Sequence, residues 1–480
     1  MGRAKNRPKM NQAQSTAAPL VMKFGGTSVG DAERIERVAQ SIAEHARKAG
    51  VVVVVSAMGG VTEMLIRAAH AATRGEHAQW KSTREEITQR HREVAERLLP
   101  PSEQAAFLAR LAEQVKVFED LCSGFALVGE VTPRAMDALS SLGEVLAADL
   151  VAAALRALRA PAEAVDAVEL ILTDDHFGNA SPFFEETEAN TRTRLLPLVK
   201  SGVIPVVTGF RGATRGGNCT TLGRGASDYT ATILGAALDA EEIWIWTDVD
   251  GVMTADPRLV PGAKVIPEIS YRETIELSFF GAKVLHHKAA QPAMKKNIPV
   301  WIKNTFNPAC PGTKIAGSAS GRPGVRAITS VPQAELFTVS GEMSLSFPRL
   351  AVDVFGSLSI EEISSLMVTQ SSAENVLCFA VHAADGPRVR ARLEKALELE
   401  MRHDYVADIE IMPQVGIVVA LGEKMKGTPG IAARLFGALG RRKINVIAIA
   451  QGSSELSISF AVRSLDVAEA VRAIHEEFEL

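Results

Sequence analysis

Five consecutive valines, 51–55, constrain the fold more than any other feature of the chain. A run this short, apolar and wholly β-branched suits a strand buried on both faces, as in a parallel sheet covered by helices. "LVMKF" (20–24), "VIPVVTGF" (203–210) and "EIWIWTDV" (242–249) are further short apolar runs. Between the first of these and the valines, Asp31 is placed to cap a helix and Gly50 to stop it. Ile35, Val38, Ala39, Ile42, Ala43 and Ala46 fall between them at helical spacing. Residues 62 to about 160 read as mostly helical. Strand and helix signals in alternation predict an α/β domain on a layered, open, mainly parallel sheet.

A chain of 480 residues is too long for one ordinary core. Its net charge of -4 leaves no electrostatic footprint for nucleic acid or an anionic membrane. The most apolar stretch, "VLAADLVAAALRALRAPAEA", carries Asp149 and Arg156 and reads as a packed helix, so no membrane span is expected. Residues 1–19 are polar, lack a signal-peptide core and read as a disordered tail. Cys122, Cys219, Cys310 and Cys378 form no CxxC pair, which fits idle thiols in a reducing cytoplasm.

The second half contains a repeat. Residues 341–381 align with 422–462 at a constant offset of 81; Gly341, Pro348, Phe355, Gly356, Leu358, Gln370, Phe379 and Val381 all meet their own kind. Each copy reads as a helix followed by two strands. Two copies are too few for a solenoid and suggest a paired ligand-sensing α+β module. The polar, glycine-containing stretch 308–325 marks a boundary before it. The chain therefore reads as a tail (1–19), a catalytic domain (20–312), a linker (313–330) and two α+β units (331–408 and 409–480).

Four segments carry chemistry. "KFGGTSVG" (23–30) joins a strand to a helix; its glycines, free amides and Lys23 suit either a phosphate cradle or a tight structural turn. It is not a Walker A motif, because the lysine precedes the glycines. "SAMGGVTE" (56–63) is a second such loop, with Ser56 and Thr62 as donors. "TTLGRGASDY" (220–229) offers Arg224 for a carboxylate and Asp228 to orient a lysine. "WTDVDGVMTADPR" (246–258) is too acidic to be only a turn, and its spacing is not an EF-hand's. Loops at the carboxyl ends of parallel strands form the usual crevice of an open α/β sheet. No metal cluster is expected, since the adjacent His286 and His287 cannot share a helix face.

Together and in this order, these motifs, with "ELSFFGAKVLH" (276–286) and "IKNTFNPACPGT" (302–313), resemble the aspartate kinases of the amino-acid kinase family, whose catalytic domain is followed by two ACT-type units. The resemblance covers residues 20–480 and is closest to the homo-oligomeric aspartate kinases and to the kinase half of aspartokinase–homoserine dehydrogenases; the chain stops after the second unit, so a monofunctional form is expected. It implies transfer of the ATP γ-phosphoryl group to the side-chain carboxylate of L-aspartate with Mg²⁺. That reaction opens the route to lysine, threonine and methionine, or to ectoine. Lys23 and Asp228 are then catalytic. Arg224, Glu144, Thr62 and Ser56 bind the substrate. Gly25, Gly26, Thr247, Asp248, Met253, Arg258, Lys283 and Val284 line the nucleotide site. Gln370 and Gln451 resemble effector contacts of threonine-sensitive relatives, the resemblance implies an amino-acid effector (threonine or lysine), and the ACT units imply a homodimer or homotetramer. Glu144 and the paired ACT units argue against a glutamate or acetylglutamate kinase. One departure stands out: Ser346 and Arg349 occupy the places that Gly427 and Gly430 hold in the second copy. An arginine there would crowd an effector loop, so weak inhibition by lysine and at most partial inhibition by threonine are expected.

Overall fold

The valine run forms strand β2 (Val51–Val55), buried throughout and flanked by two parallel neighbours. The structure is a computed structural model describing residues 18–282, 284–319, 324–342, 346–361, 363–371, 375–403 and 405–480. Most of the tail 1–19 lies outside these residues. The chain separates into two compact bodies that do not follow chain order. The first runs to Asp250 and resumes with Lys288–Ala316; the second joins Gly251–His287 to Gly317–Leu480.

The first body holds β1 (Leu20–Phe24), β2, β3 (Ala162–Val165), β4 (Leu172–Thr173), β5 (Ile204–Thr208), β6 (Arg211–Thr214), β7 (Cys219–Thr221) and β8 (Glu242–Thr247). After β9 (Glu268–Ser270) of the second body come β10 (Val300–Asn304) and β11 (Thr313–Ala316). The main sheet runs β3-β5-β2-β1-β8-β10-β11, parallel as far as β10, with β11 antiparallel. Strands β4, β6 and β7 make a small separate sheet. The sequence predicts a linker at Thr313–Ala316. Its polar composition hid a strand that buries Thr313 and Ile315 in alternation.

The helices are α1 (Ala32–Ala46), α2 (Val61–Thr73), α3 (His77–Leu98), α4 (Pro101–Val128), α5 (Pro133–Ser140), α6 (Leu142–Ala157), α7 (Phe184–Lys200) and α8 (Ala226–Ala237). Asp31 caps α1 as its position suggests, accepting from Arg34 N–H. Residues 133–157 are long and apolar enough to cross a membrane, yet 83% of that window is buried inside the protein. The stretch read as a packed helix is thus a core element, α6, lying on β3 and β5.

The second body is built on the repeat. Strands β12 (Ala327–Gly341), β13 (Met367–Ser371), β14 (Val376–His382), β15 (Val406–Leu421), β16 (Ala448–Gln451) and β17 (Ser457–Arg463) form one sheet in the order β13-β14-β12-β15-β17-β16. Its register is two-fold symmetric. Ala334 pairs with Val415, its own repeat partner (334 + 81 = 415), and the pair Ala327–Leu421 has its image in Ser340–Asp408 (327 + 81 = 408; 421 − 81 = 340). Helix Gly386–Ala396 likewise maps onto Val467–Glu477. Each copy packs its own core: Phe337, Leu350, Val354, Leu358 and Phe379 in the first, and Val418, Ile431, Leu435, Leu439 and Phe460 at the same positions in the second.

The copies differ at one loop. In the second, Gly427 and Gly430 are left-handed (φ +65° and +88°), and Gly430 caps the helix Ile431–Arg441. In the first, Ser346 is the cap, Pro348 sits in the first turn and the helix already runs from Phe347. Arg349 is therefore helical and does not crowd a left-handed position. Its guanidinium turns along the surface to Asp353, 2.8 Å away, with Glu400 at 3.7 Å.

Candidate active site

The site lies in the first body, at the carboxyl ends of β1, β2, β5 and β8. Three backbone bonds hold these ends together: Gly25 N–H to Trp246 O, Ser56 N–H to Phe24 O and Gly209 N–H to Val55 O. The loop after β1 packs on the loop after β2, where Gly59 N–H donates to Gly26 O. A side chain at Gly26 would stand 2.7 Å from Ala57 O, so glycine is required there by packing. At Gly25 a side chain would lie 3.4 Å from Lys23 Nζ, so glycine keeps the space beside the ammonium clear. The Gly25 amide itself is engaged by Trp246, which departs from the expectation of a loop of free amides.

Lys23, next to last in β1, is almost fully buried, and its Nζ lies 2.5 Å from Asp228 Oδ1. Asp228 sits in the first turn of α8, whose cap Gly225 is left-handed (φ +68°); the turn that starts the helix thus aims the carboxylate at the strand end. A lysine and an aspartate about two hundred positions apart become the central charge pair of the body. Arg224, just before the cap, is exposed and makes no ion pair among the described residues.

Glu144 lies in the first turn of α6 and is 4% exposed. Gly143 lets the helix approach the loop after β2 closely; a side chain there would meet Ala57 Cβ at 2.7 Å. Burial pushes the Glu144 carboxyl up to about 8, against the opposing pull of Ala57 N–H and the Arg211 charge. Its Oε2 has no hydrogen-bond partner among the described residues. A buried carboxylate with a free oxygen is poised to receive a cationic donor. Ser56 and Thr62 flank this loop, Thr62 in the first turn of α2.

At the end of β8, Thr247 Oγ1 donates to Asp248 Oδ1 at 3.2 Å, and Thr247 O accepts Thr305 N–H. Met253, Arg258 and Val284 belong to the second body, where Arg258 is highly exposed with its fork taken by Asp256. Lys283 lies outside the described residues. Gln370 and Gln451 are repeat partners (370 + 81 = 451) on the edge strands β13 and β16. Gln370 lines a cavity of about 340 Å³ with Thr338, Cys378 and Glu410.

Several site-shaping residues escaped the sequence reading. Asp137, in α5, accepts from Gly178 N–H, Thr221 N–H and Thr221 Oγ1, tying down the strand that leads to Arg224. Asp250 accepts from Asn304 and Asn307, and Ser28 bonds Thr305 at 2.7 Å, fastening the β1, β8 and β10 loops. The sequence signal for Asp250, Asn304 and Asn307 was their place inside two of the quoted motifs.

Comparison with known proteins agrees with this geometry. The amino acid kinase family model matches residues 18–304, and an ACT domain model matches 418–478. The chain is 31% identical to aspartokinase 2, chloroplastic, of Arabidopsis thaliana, over 99% of this chain and 87% of that one. The chain belongs to the aspartokinases of the amino acid kinase family. Its fold superposes on the solved structure of E. coli aspartokinase III in complex with aspartate and ADP, with a TM-score of 0.81 and 29% identity, covering 96% of this chain and all of that one. It is also 34% identical to the bifunctional aspartokinase/homoserine dehydrogenase 1, chloroplastic, of Arabidopsis thaliana, over 96% of this chain. This aspartokinase-family chain spans about half the length of that relative and of the other bifunctional ones it matches.

Proposed function

We propose that the chain is an aspartate kinase that transfers the γ-phosphoryl group of ATP to the side-chain carboxylate of L-aspartate. The observation that carries this is the buried Lys23–Asp228 pair at the mouth of a parallel sheet, one loop away from the half-satisfied carboxylate of Glu144. The attacking carboxylate is ionised at neutral pH, so no general base is required. Catalysis then rests on positioning and charge. Lys23 lies against the transferring phosphoryl group, and Asp228 fixes its ammonium. Glu144 receives the substrate's ammonium group and Arg224 its α-carboxylate, with Ser56 and Thr62 completing the pocket. Gly25 and Gly26 leave room for the phosphates. Thr247, Asp248, Met253, Arg258, Lys283 and Val284 serve the nucleotide.

Among the described residues no group of three His, Cys, Asp or Glu side chains is gathered to hold a metal, which suits a magnesium ion carried by the nucleotide phosphates. Bound there, the ion would neutralise part of the phosphate charge. Gln370 and Gln451 contact an amino-acid effector, threonine or lysine. The edge strands that carry them suit pairing with a second copy in a homodimer or homotetramer. All four cysteines stand as free thiols, which supports a reducing compartment such as the cytoplasm. Purified protein with MgATP and hydroxylamine should yield aspartyl hydroxamate from L-aspartate and little product from L-glutamate. No product with aspartate, or equal turnover of both, overturns the proposal.

A further inference from the structure

Arg211 is a buried cation that the proposed chemistry leaves unused. It opens β6, is 9% exposed and forms no part of the substrate or nucleotide contacts above. Its Nη1 donates to both Ser141 O and Ser141 Oγ at 3.1 Å, and its Nε lies 3.0 Å from Asp166 Oδ1. Ser141 is the hinge between α5 and α6, closing one helix and opening the other three residues before Glu144. Its hydroxyl donates to Asp137 O. Asp137 in turn holds Thr221, which is Arg211's own register partner across β6 and β7. One guanidinium thus touches the turn that launches Glu144, and through Ser141 and Asp137 that turn is tied to the strand that leads to Arg224.

A purely structural role explains this poorly. A buried ion pair is commonly matched or bettered in stability by apolar residues of the same volume. What an apolar residue cannot supply is the fork onto Ser141 or a positive charge near Glu144. The groups that act on the Glu144 carboxylate are Ala57 N–H from the loop after β2, its own backbone N–H, Arg211 from β6 and Glu63 from α2; Arg211 is the cation among them. We propose that Arg211 is a positioning residue for aspartate recognition: it fixes the turn before Glu144, aims that side chain at the substrate's ammonium group and supplies a nearby positive charge that favours the carboxylate when that group arrives. The proposal rests on the aspartate-kinase assignment.

The test uses the full chain with Arg211→Gln, Arg211→Lys and Glu144→Gln, alone and combined, in the hydroxamate assay. Arg211→Gln should raise the aspartate KM about tenfold, as expected for coupled members of one buried network, while the ATP KM stays put and kcat changes less. Arg211→Lys, which keeps the charge and loses the fork, should fall between. In the Glu144→Gln background, Arg211→Gln should add little to the aspartate KM. Equal effects on both KM values, or an undiminished effect without Glu144, overturn the proposal. Should Arg211→Gln fail to fold, Arg211→Lys decides alone: an aspartate-specific rise in KM supports the role, and unchanged constants overturn it. Absence of aspartate turnover by the unaltered protein defeats the kinase assignment and this inference with it; turnover that is indifferent to Arg211 defeats only the inference.

Discussion

The candidate site and the helix surfaces of the repeat hold their charges in opposite ways. In the first, Lys23, Asp137, Glu144 and Arg211 are all less than a tenth exposed, held by partners from distant segments. In the second, Arg349, Arg434, Arg441 and Arg442 are about half exposed or more and pair across helix surfaces with Asp353, Glu477 and Glu469. Buried charges are costly unless fully paired, whereas exposed pairs contribute little. The difference separates charge retained for chemistry from charge that keeps a surface wet. Substitutions at the site should therefore reach activity first, and those on the repeat's helix surfaces should register, if at all, as stability.

The sharpest contrast comes from Lys23→Ala. Loss of a preorganised charge at the reacting group costs about 10²–10³-fold in kcat. The second body, with cores of its own, should keep its fold and assembly. Circular dichroism and size-exclusion chromatography check the fold, and hydroxamate formation checks kcat. If stability collapsed while residual kcat stayed near normal, the pair with Asp228 would be structural and the contrast would break.

Arg224→Ala should come next. The side chain is exposed before substrate arrives, so folding should not depend on it. The aspartate KM should rise about thirtyfold or more, the loss expected for a charged partner of a bound carboxylate, with ATP affinity nearly intact. An ATP dissociation constant that moved as far as the aspartate KM would remove Arg224 from the substrate end.

Glu144→Gln tests whether a buried charge is held against stability. Burial raises the carboxyl from its ordinary value to about 8. The protonated form's contribution to stability is fully present below the ordinary carboxylate range and is lost as pH rises through about 8. Glutamine escapes that loss. The variant should match the parent near pH 5 and exceed it by about 1–3 kcal/mol at pH 8.5 in denaturant unfolding, while its aspartate KM rises. In the parent, the aspartate KM should fall as pH climbs towards 8 and Glu144 ionises. A variant less stable at pH 8.5 would mean that Glu144 is a satisfied core group.

What the sequence made legible follows the same divide. The valine run, the α1 cap and the 81-residue offset are local or periodic signals, and strands and helices stand where those signals place them. Lys23, Asp228 and Glu144 sit inside recognisable segments. Arg211 was illegible because "TGFRGATRGG" reads as a loop with scattered cations; only the β6–β7 pairing and the arrival of Ser141 bury it. Asp137 was hidden likewise, since its three donors come from positions 178 and 221. The grouping of 251–287 with the C-terminal body was equally invisible. It rests on contacts such as Ile328 N–H to Thr254 O and Thr254 Oγ1 to His475 Nε2, which no local pattern announces.

The smallest expected effects compare the two copies of the repeat directly. Alignment alone suggested that Arg349 obstructs a loop that Gly430 leaves open. The backbones differ instead: Gly430 is left-handed, whereas Arg349 is helical behind the Ser346 cap and Pro348. Gly430→Ala should therefore cost about 1–2 kcal/mol from the left-handed backbone alone, because nothing lies within 4 Å of the added carbon. Arg349→Gly removes an exposed pair without relieving any strain and puts glycine into the helix's first turn, so it should cost at most about 0.5–1 kcal/mol in stability. It should also leave lysine and threonine titration curves superimposed on the parent's. Strong inhibition by lysine appearing only in Arg349→Gly would show that the arginine does close an effector loop, and that the helical start of the first copy gives way when its side chain is removed.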